Sequence, residues 1–451
     1  MSYPQFQLAS SYLGAISDST DDGRLDGPVP LNFMQFESIG TVTTYDSSSF
    51  CPDSASTATA IASGHKTSSG TLNMDETATE KFRTIAEQIR DETGKRIGIV
   101  TSANLNHATP AAFYAHQNSR SNSYEIGKEL LESGFDYLAG GLPDYPSGKN
   151  HDQPDFYGLA AEKGYRVCTT EDMQTASGNA ENADPGNAPQ KLILLPTHPS
   201  ADAALDYEID RAEDDWALSD YVEKGIEELD NEDGFFLMCE GGKIDWACHA
   251  NDAATAIHDV LALSDAVQTA MDFAEQHPSD TLILVTGDHE TGGLSIGYAE
   301  TRYKTHLEKL QAQKISFRKF DTDYVQEYMN NALPFEETLT DLRELFGLEP
   351  SGKDIEILSE AYDLTRTGYP KDEEGNYDLT EEQYLMYGGY TAFSMAVTHL
   401  MAEKAGIHFS TYSHTGLPEA VFASGAGAEA FEGSYDNTGI HDRLVQVLAL
   451  N

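Results

Sequence analysis

Five residues after the apolar run Gly234-Phe-Phe-Leu-Met-Cys239 and its closing Glu240, an aspartate and a histidine stand four apart, Asp245 and His249. A helical turn sets both on one face. Asp288 and His289 follow a second apolar run, Thr281-Leu-Ile-Leu-Val-Thr286, and His414 comes late, in Tyr412-Ser-His-Thr-Gly416. Carboxylates and imidazoles are the donors of a zinc site. A lone Asp-x-x-x-His reads equally well as a cap or a surface ion pair. Several such residues just after strand-like runs are a stronger signal, because ligands bind at the carboxyl edge of open α/β sheets. A serine adds to it. In Pro52-Asp-Ser-Ala-Ser-Thr-Ala-Thr-Ala60 the spacing places Ser54 as N-cap of a helix that stops at Gly64. Unpaired N–H groups and the positive end of the dipole there favour an anion, and a phosphoryl group on Ser54 is one. By itself, Asp53-Ser54-Ala55 is also an ordinary capping sequence.

The elements that must position these residues alternate strand and helix through the first three hundred residues, which predicts an α/β fold with helices on both faces of a sheet. Strands are expected at Arg96–Thr101, Phe135–Ala139, Lys191–Leu195, Gly234–Cys239 and Thr281–Thr286, and helices over about 81–93 and 252–276. The stretch 171–190, rich in Asn, Gly, Ala and Pro, reads as a surface excursion. From about 300 to 385 short charged helices replace strands, so this region is expected to be an insertion, a cap over the site or a contact surface. Within it Asp372-Glu-Glu-Gly-Asn-Tyr-Asp378 superficially suggests a calcium loop, but its glycine is misplaced and position twelve is Gln383. An acidic turn before a Thr380-x-x-Gln383 capping box accounts for it better. A helix at 388–404 and a strand Glu419–Ala423 return the chain to the main fold.

Composition narrows the function. The 75 acidic and 28 basic residues give a net charge of −47, which leaves no basic footprint for nucleic acid. With 39% hydrophobic residues the chain is folded rather than disordered. Scattered acidic residues suit a solvated surface adapted to high salt, the source expected here, with diffuse calcium binding as the alternative. Four cysteines, Cys51, Cys168, Cys239 and Cys248, make no disulfide framework and no Cys-x-x-Cys zinc pair. No apolar run spans a membrane and no signal peptide is seen.

Taken together, these motifs resemble the alkaline phosphatase family. The serine run ending in Gly64-His-Lys-Thr, Ala108-Thr-Pro-Ala-Ala112 followed by His116-x-x-x-Arg120, Glu240-Gly-Gly-Lys-Ile-Asp245, Asp288-His289 and His414 match it in order and spacing. The resemblance covers 1–300 and 385–451, the expected catalytic core, and only loosely 300–385. It implies a three-layer α/β/α sandwich around a large, mostly parallel sheet with an inserted, mainly helical cap. It also implies hydrolysis of small phosphate monoesters through a phosphoserine on Ser54, two zinc ions, one magnesium, a homodimer, and a periplasmic or secreted location. Asp245, His249 and His414 would hold the first zinc, Asp288 and His289 the second, Thr109 and Glu240 the magnesium. Arg120, oriented by Asp53, would grip two phosphate oxygens through its planar fork. The chemistry is coherent: a serine hydroxyl is a weak nucleophile until a metal lowers its pKa, and Thr109 before Pro110 sits at a helix start. His107 and Trp246 occupy positions that vary in the family. Some members carry Asp and Lys there, and Trp246 cannot reach phosphate through water as that lysine does, so weaker phosphate retention is expected.

One departure stands at the beginning. The family core opens with an apolar strand ending in Gly-Asp-Gly-Met, whose aspartate bridges the second zinc and the magnesium. Met1-Ser-Tyr-Pro resembles the residues directly after that aspartate. A truncated reading frame is therefore expected, and Asp18, Asp21 and Asp22 lie too far downstream to replace the bridging carboxylate. The alternatives are a weakly active or inactive metal- and phosphate-binding relative, or a related phosphodiesterase or sulfatase.

Overall fold

Aliphatic runs flanked by turn residues become strands in the computed structural model, which describes residues 1–17, 25–176, 191–371 and 378–451. In chain order these are β1 (Ser38–Thr43), β2 (Arg96–Asn104), β3 (Tyr137–Gly141), β4 (Tyr165–Thr169), β5 (Lys191–Leu195), β6 (Phe235–Glu240), β7 (Leu282–Thr286), β8 (Glu290–Thr291), β9 (Ser295–Ile296), β10 (Ile407–His408), β11 (His414–Thr415), β12 (Glu419–Gly425) and β13 (Gly433–Asp436). A parallel sheet runs β4-β5-β3-β2-β6. Arg96 to Thr101 pair in step with Phe235 to Glu240, and Tyr137 to Ala139 pair with Leu192 to Leu194. From Ile97 onward β2 is buried at every position, as a strand covered on both faces must be.

The remaining long strands form a second sheet, β13-β1-β12-β7, of mixed direction. The late strand β12 runs antiparallel to both β1 and β7, while β13 lies parallel to β1. The α/β class and its parallel sheet are thus as expected. β7 pairs with β12, because the segment after residue 405 turns back to fill that position. Both β6 and β7 end their sheets.

Helix boundaries follow capping chemistry. The helix expected from about 81 begins at Ile85, because Thr84 accepts from the Glu87 N–H while the Glu87 carboxylate accepts from that of Thr84. Asp252 caps Ala253–Gln276 through the Thr255 N–H, and the helix expected from 388 starts at Ala392. Gly64 closes the serine helix at φ 74°. A Cβ there would lie 2.7 Å from His441 Nδ1, so both conformation and space require glycine.

Ala253–Gln276 packs against helices Tyr3–Ser17 and Leu218–Leu229. Phe6 joins the first helix to the mixed sheet, its ring 5.4 Å from Phe422 and 6.2 Å from Phe33. Burying each such ring contributes roughly 1.5–3 kcal/mol. Among the described residues 300–385 contains helices and no strand. Its helix Lys353–Thr367 packs on Ala392–Ala405, and Tyr362 and Phe320 meet Phe393 at 5.1 and 5.8 Å. The expected excursion at 171–190 starts as the helix Thr170–Ala176; its remainder, and 372–377 of the acidic turn, lie outside the described residues. Thr380 and Gln383 do form the capping box. All four cysteines are free, and no described helix is long and apolar enough to cross a membrane.

Candidate active site

The serine helix Ser54–Ser63 is capped one residue earlier than expected. Asp53 is the cap: its backbone is extended, and its carboxylate accepts from the Ser56 N–H. Ser54 is therefore the first helical residue, 3% exposed, and its Oγ lies 3.0 Å from His289 Nε2. The small buried residues Ala55, Ala58 and Ala62 let this helix sit close to Ala108–Ala111 and Thr438–Leu448.

Asp53 also receives the Gly70 N–H at 2.9 Å and Arg120 Nη1 at 3.0 Å. Burial opposes ionisation of its carboxyl, yet these bonds and the Arg120 charge hold it below the usual carboxylate range. The second Arg120 nitrogen, Nη2, donates to His107 Nε2 at 3.1 Å. Guanidinium has no acceptor, so His107 accepts there and any proton on its ring sits at Nδ1. Burial and the neighbouring Arg120 push His107 down to about 4, which keeps it a neutral acceptor. The guanidinium is thus fixed from two sides before any substrate arrives.

The helix Gly242–His249 after β6 sets Asp245 and His249 on one face, 3.4 Å apart. The short pair β8–β11, with His414 opposite Thr291, brings the late histidine to the same place. His414 Nε2 lies 3.6 Å from Asp245 Oδ1 and 3.1 Å from His249 Nε2. Each ring's Nδ1 donates to a backbone carbonyl at 2.6 Å, His249 to Tyr412 and His414 to Pro52. Their Nε2 atoms therefore face each other across a carboxylate, an arrangement that requires a shared cation or an added proton. His249 shows that demand: burial would lower it, but the charge and hydrogen bond of Asp245 raise it to about 9. Burial likewise works against Asp245, which the imidazoles of His249, His289 and His414 hold well below the usual carboxylate range. Among the described residues, Asp245, His289 and His414 bring ligand atoms within 4.8 Å of one another. Nitrogen and carboxylate donors with backbone-pinned imidazoles fit zinc.

Asp288 approaches His289 Nε2 at 3.2 Å, beside Ser54. Burial and the neighbouring His414, against the pull of Asp288, bring His289 to about 4. Glu240 accepts hydrogen bonds from Thr101 and Thr109, and burial lifts its carboxyl to about 7. Oxygen donors of this kind suit magnesium. The residues expected to act together are therefore brought together, from the carboxyl ends of β1, β2, β6 and β7 and from β11. Sequence reasoning missed three supports. Thr291 Oγ donates to Asp245 and lies 3.2 Å from His289 Nδ1, and the carbonyls of Tyr412 and Pro52 orient the two zinc-type histidines. Thr291 had a signal, lying two residues after His289. The carbonyls had none, since any residue type supplies one.

Trp246 meets the His107 ring edge-on at 5.7 Å. Beside it Lys243 is fully buried, with no hydrogen-bond partner for Nζ among the described residues, and its ammonium stands 3.8 Å from the Tyr207 ring centroid and 4.6 Å from that of Trp246.

A sequence model of the alkaline phosphatase family matches residues 1–140 and 199–450. Alkaline phosphatase 3 of Bacillus subtilis is 29% identical over 98% of this chain and 87% of its own length. The cold-active alkaline phosphatase of the psychrophile Shewanella sp. superposes with a TM-score of 0.78 at 26% identity, covering 99% of this chain and 97% of that one. A mutant of the alkaline phosphatase from the Antarctic bacterium TAB5, solved with magnesium bound, superposes at 0.62 with 25% identity over 97% and 95% of the two chains. With a serine on a helix start beside converging histidines and carboxylates, and with relatives aligned almost end to end, the chain belongs to the alkaline phosphatase family of phosphoric monoester hydrolases.

Proposed function

We propose that this chain hydrolyses small phosphate monoesters through a covalent phosphoserine on Ser54, with Asp245, His249 and His414 holding one zinc, Asp288 and His289 a second, and Thr109 and Glu240 a magnesium. The observation that carries the reading is the pair of backbone-pinned imidazoles whose Nε2 atoms face each other 3.1 Å apart over Asp245, on the same wall as Ser54. The metals would supply Lewis-acid activation of oxygen and neutralise phosphoryl charge. The rest belongs to the chain. Arg120, fixed by Asp53 and His107, binds two non-bridging oxygens and favours the trigonal, charge-spread transition state. Ser54 Oγ forms the bond to phosphorus as the ester P–O bond breaks, and a water later cleaves the O–P bond and restores the serine. Burial of Ser54 at the helix start orients Oγ and limits competing water.

The family resemblance extends this reading to a homodimer and to a periplasmic or secreted location, and the acidic surface extends it to a salt-adapted source. Residues 300–385 serve as a cap, because Phe317, Arg318 and Asp321 line the cavity beside His249. The test is turnover of an aryl phosphate and an aryl phosphodiester by the zinc- and magnesium-supplemented protein and by Ser54→Ala. Monoester turnover that vanishes in Ser54→Ala while zinc still binds is the expected result. Zinc binding without any Ser54-dependent turnover would make the protein a metal- and phosphate-binding relative. Faster diester turnover would make it a phosphodiesterase.

A further inference from the structure

A cavity of about 760 Å³ opens directly against His107 and His249. That is far more room than a phosphoryl group fills, and it lies within the range of sites for drug-sized ligands. Its walls combine aromatic rings and a cation with the carboxylates of Asp144, Asp202 and Asp321. Trp246, Phe317 and Tyr390 bring half-buried aromatic rings to it, with the Phe317 and Tyr390 rings perpendicular at 6.1 Å. Arg318 brings a cation to the same wall. Its Nη2 is paired with Asp202 Oδ1 at 2.6 Å, and the side chain is 34% exposed. A guanidinium offers five N–H donors and no acceptor, so its exposed edge can donate to a ligand acceptor.

With the phosphoryl group placed by Arg120 and Ser54, the part of a monoester that must enter this cavity is its alcohol. We infer that the cavity is the leaving-group subsite, and that Trp246, Phe317, Tyr390 and Arg318 select monoesters whose alcohol carries a flat aromatic or heteroaromatic ring with a hydrogen-bond acceptor, the class that includes nucleoside 5′-monophosphates. This rests on the phosphatase reading above and adds the residues that set preference among monoesters.

Adenosine 5′-monophosphate and ethyl phosphate test it, because both release a primary alcohol of similar intrinsic reactivity and differ in what fills the cavity. Stacking a base on an aromatic side chain contributes roughly 1–3 kcal/mol, so the wild-type protein is expected to prefer the nucleotide in kcat/KM by about tenfold or more. In Phe317→Ala and Tyr390→Ala that preference should shrink about tenfold, chiefly through KM for the nucleotide. Phe317→Tyr and Tyr390→Phe should restore it, and melting temperatures would identify any variant that merely misfolds. Arg318→Gln should lower it about threefold to tenfold. A wild-type preference below twofold, or a preference unchanged in both alanine variants, overturns the inference. If neither ester is turned over, the phosphatase reading fails by itself. Calorimetric binding of adenosine then decides the subsite: binding abolished by Tyr390→Ala upholds it, and no binding by the wild type overturns it.

Discussion

Replacing Arg120 by alanine isolates what a pre-positioned guanidinium contributes to phosphoryl transfer. The side chain is 29% exposed and holds Asp53 at 3.0 Å, while Nη2 donates to His107 at 3.1 Å, so its orientation costs nothing at the moment of reaction. Two charge-assisted hydrogen bonds to phosphate oxygens contribute about 1.5–3 kcal/mol each. Partial exposure places the pair toward the lower end, about 3–4 kcal/mol, or roughly 10²–10³ in kcat/KM. Stability should barely move, because an ion pair this exposed contributes about 0–1 kcal/mol and Asp53 keeps the Ser56 and Gly70 N–H groups. The assay is steady-state hydrolysis of an aryl phosphate at fixed, measured metal content, with thermal melts alongside. Arg120→Lys restores the charge without the fork and should fall between wild type and alanine. A loss below fivefold, or one that tracks reduced metal content or melting temperature, would refute the reasoning.

Trp246→Lys introduces an ammonium beside His107 and should strengthen inhibition by inorganic phosphate about fivefold; an unchanged inhibition constant removes Trp246 from the phosphate's surroundings. Chelation should lower the melting temperature, since ions joining the β6, β7 and β11 segments stabilise only the folded state, by about 4 kcal/mol at a thousandfold excess over Kd. In His414→Ala most of that metal-dependent increment should disappear, and an equal increment in both proteins would place the ions elsewhere. Burial raises the Asp210 carboxyl to about 6 against two hydrogen bonds from Ser316. The folded state then binds the extra proton between about pH 4, the unfolded value, and pH 6, so stability from this group falls as pH rises through that window. Asp210→Asn should lower the melting temperature at pH 4.5 relative to that at pH 7.5, and an unaltered difference between the two would show that Asp210 does not titrate there. Phe6→Ala should cost about 3–5 kcal/mol in denaturant unfolding by emptying the contact among Phe6, Phe33 and Phe422; a cost below 1 kcal/mol would mean the first helix is not held by that cluster.

Much of the local structure was legible because it depends on near neighbours. Lys191–Leu195 is a strand as read, the long helix ends at Gln276, and the Thr380–Gln383 capping box forms. The serine cap differs from that reading because one local contact and two distant ones converge on the preceding residue. Asp53 displaced Ser54 as cap because a carboxylate can accept from Ser56, Gly70 and Arg120 together, which a hydroxyl at the next position cannot.

Sheet membership was not legible. The run at β7 looks like a parallel strand, yet it pairs antiparallel with β12, more than a hundred residues later in the chain, and no periodicity within β7 encodes that partner. The same holds for the site. Residue type and spacing determined which groups could bind metal or phosphate: a helical Asp245 and His249, Asp288-His289 after a strand, a serine on a helix start, and an arginine able to grip two oxygens. Tertiary structure alone decided that His414 faces His249 with both rings pinned by carbonyls, that His107 steadies Arg120 from its second side, and that a cavity walled by aromatic rings and Arg318 adjoins them. Those facts arise from long-range packing, where backbone carbonyls and cavity walls act irrespective of the residue types that spell a motif.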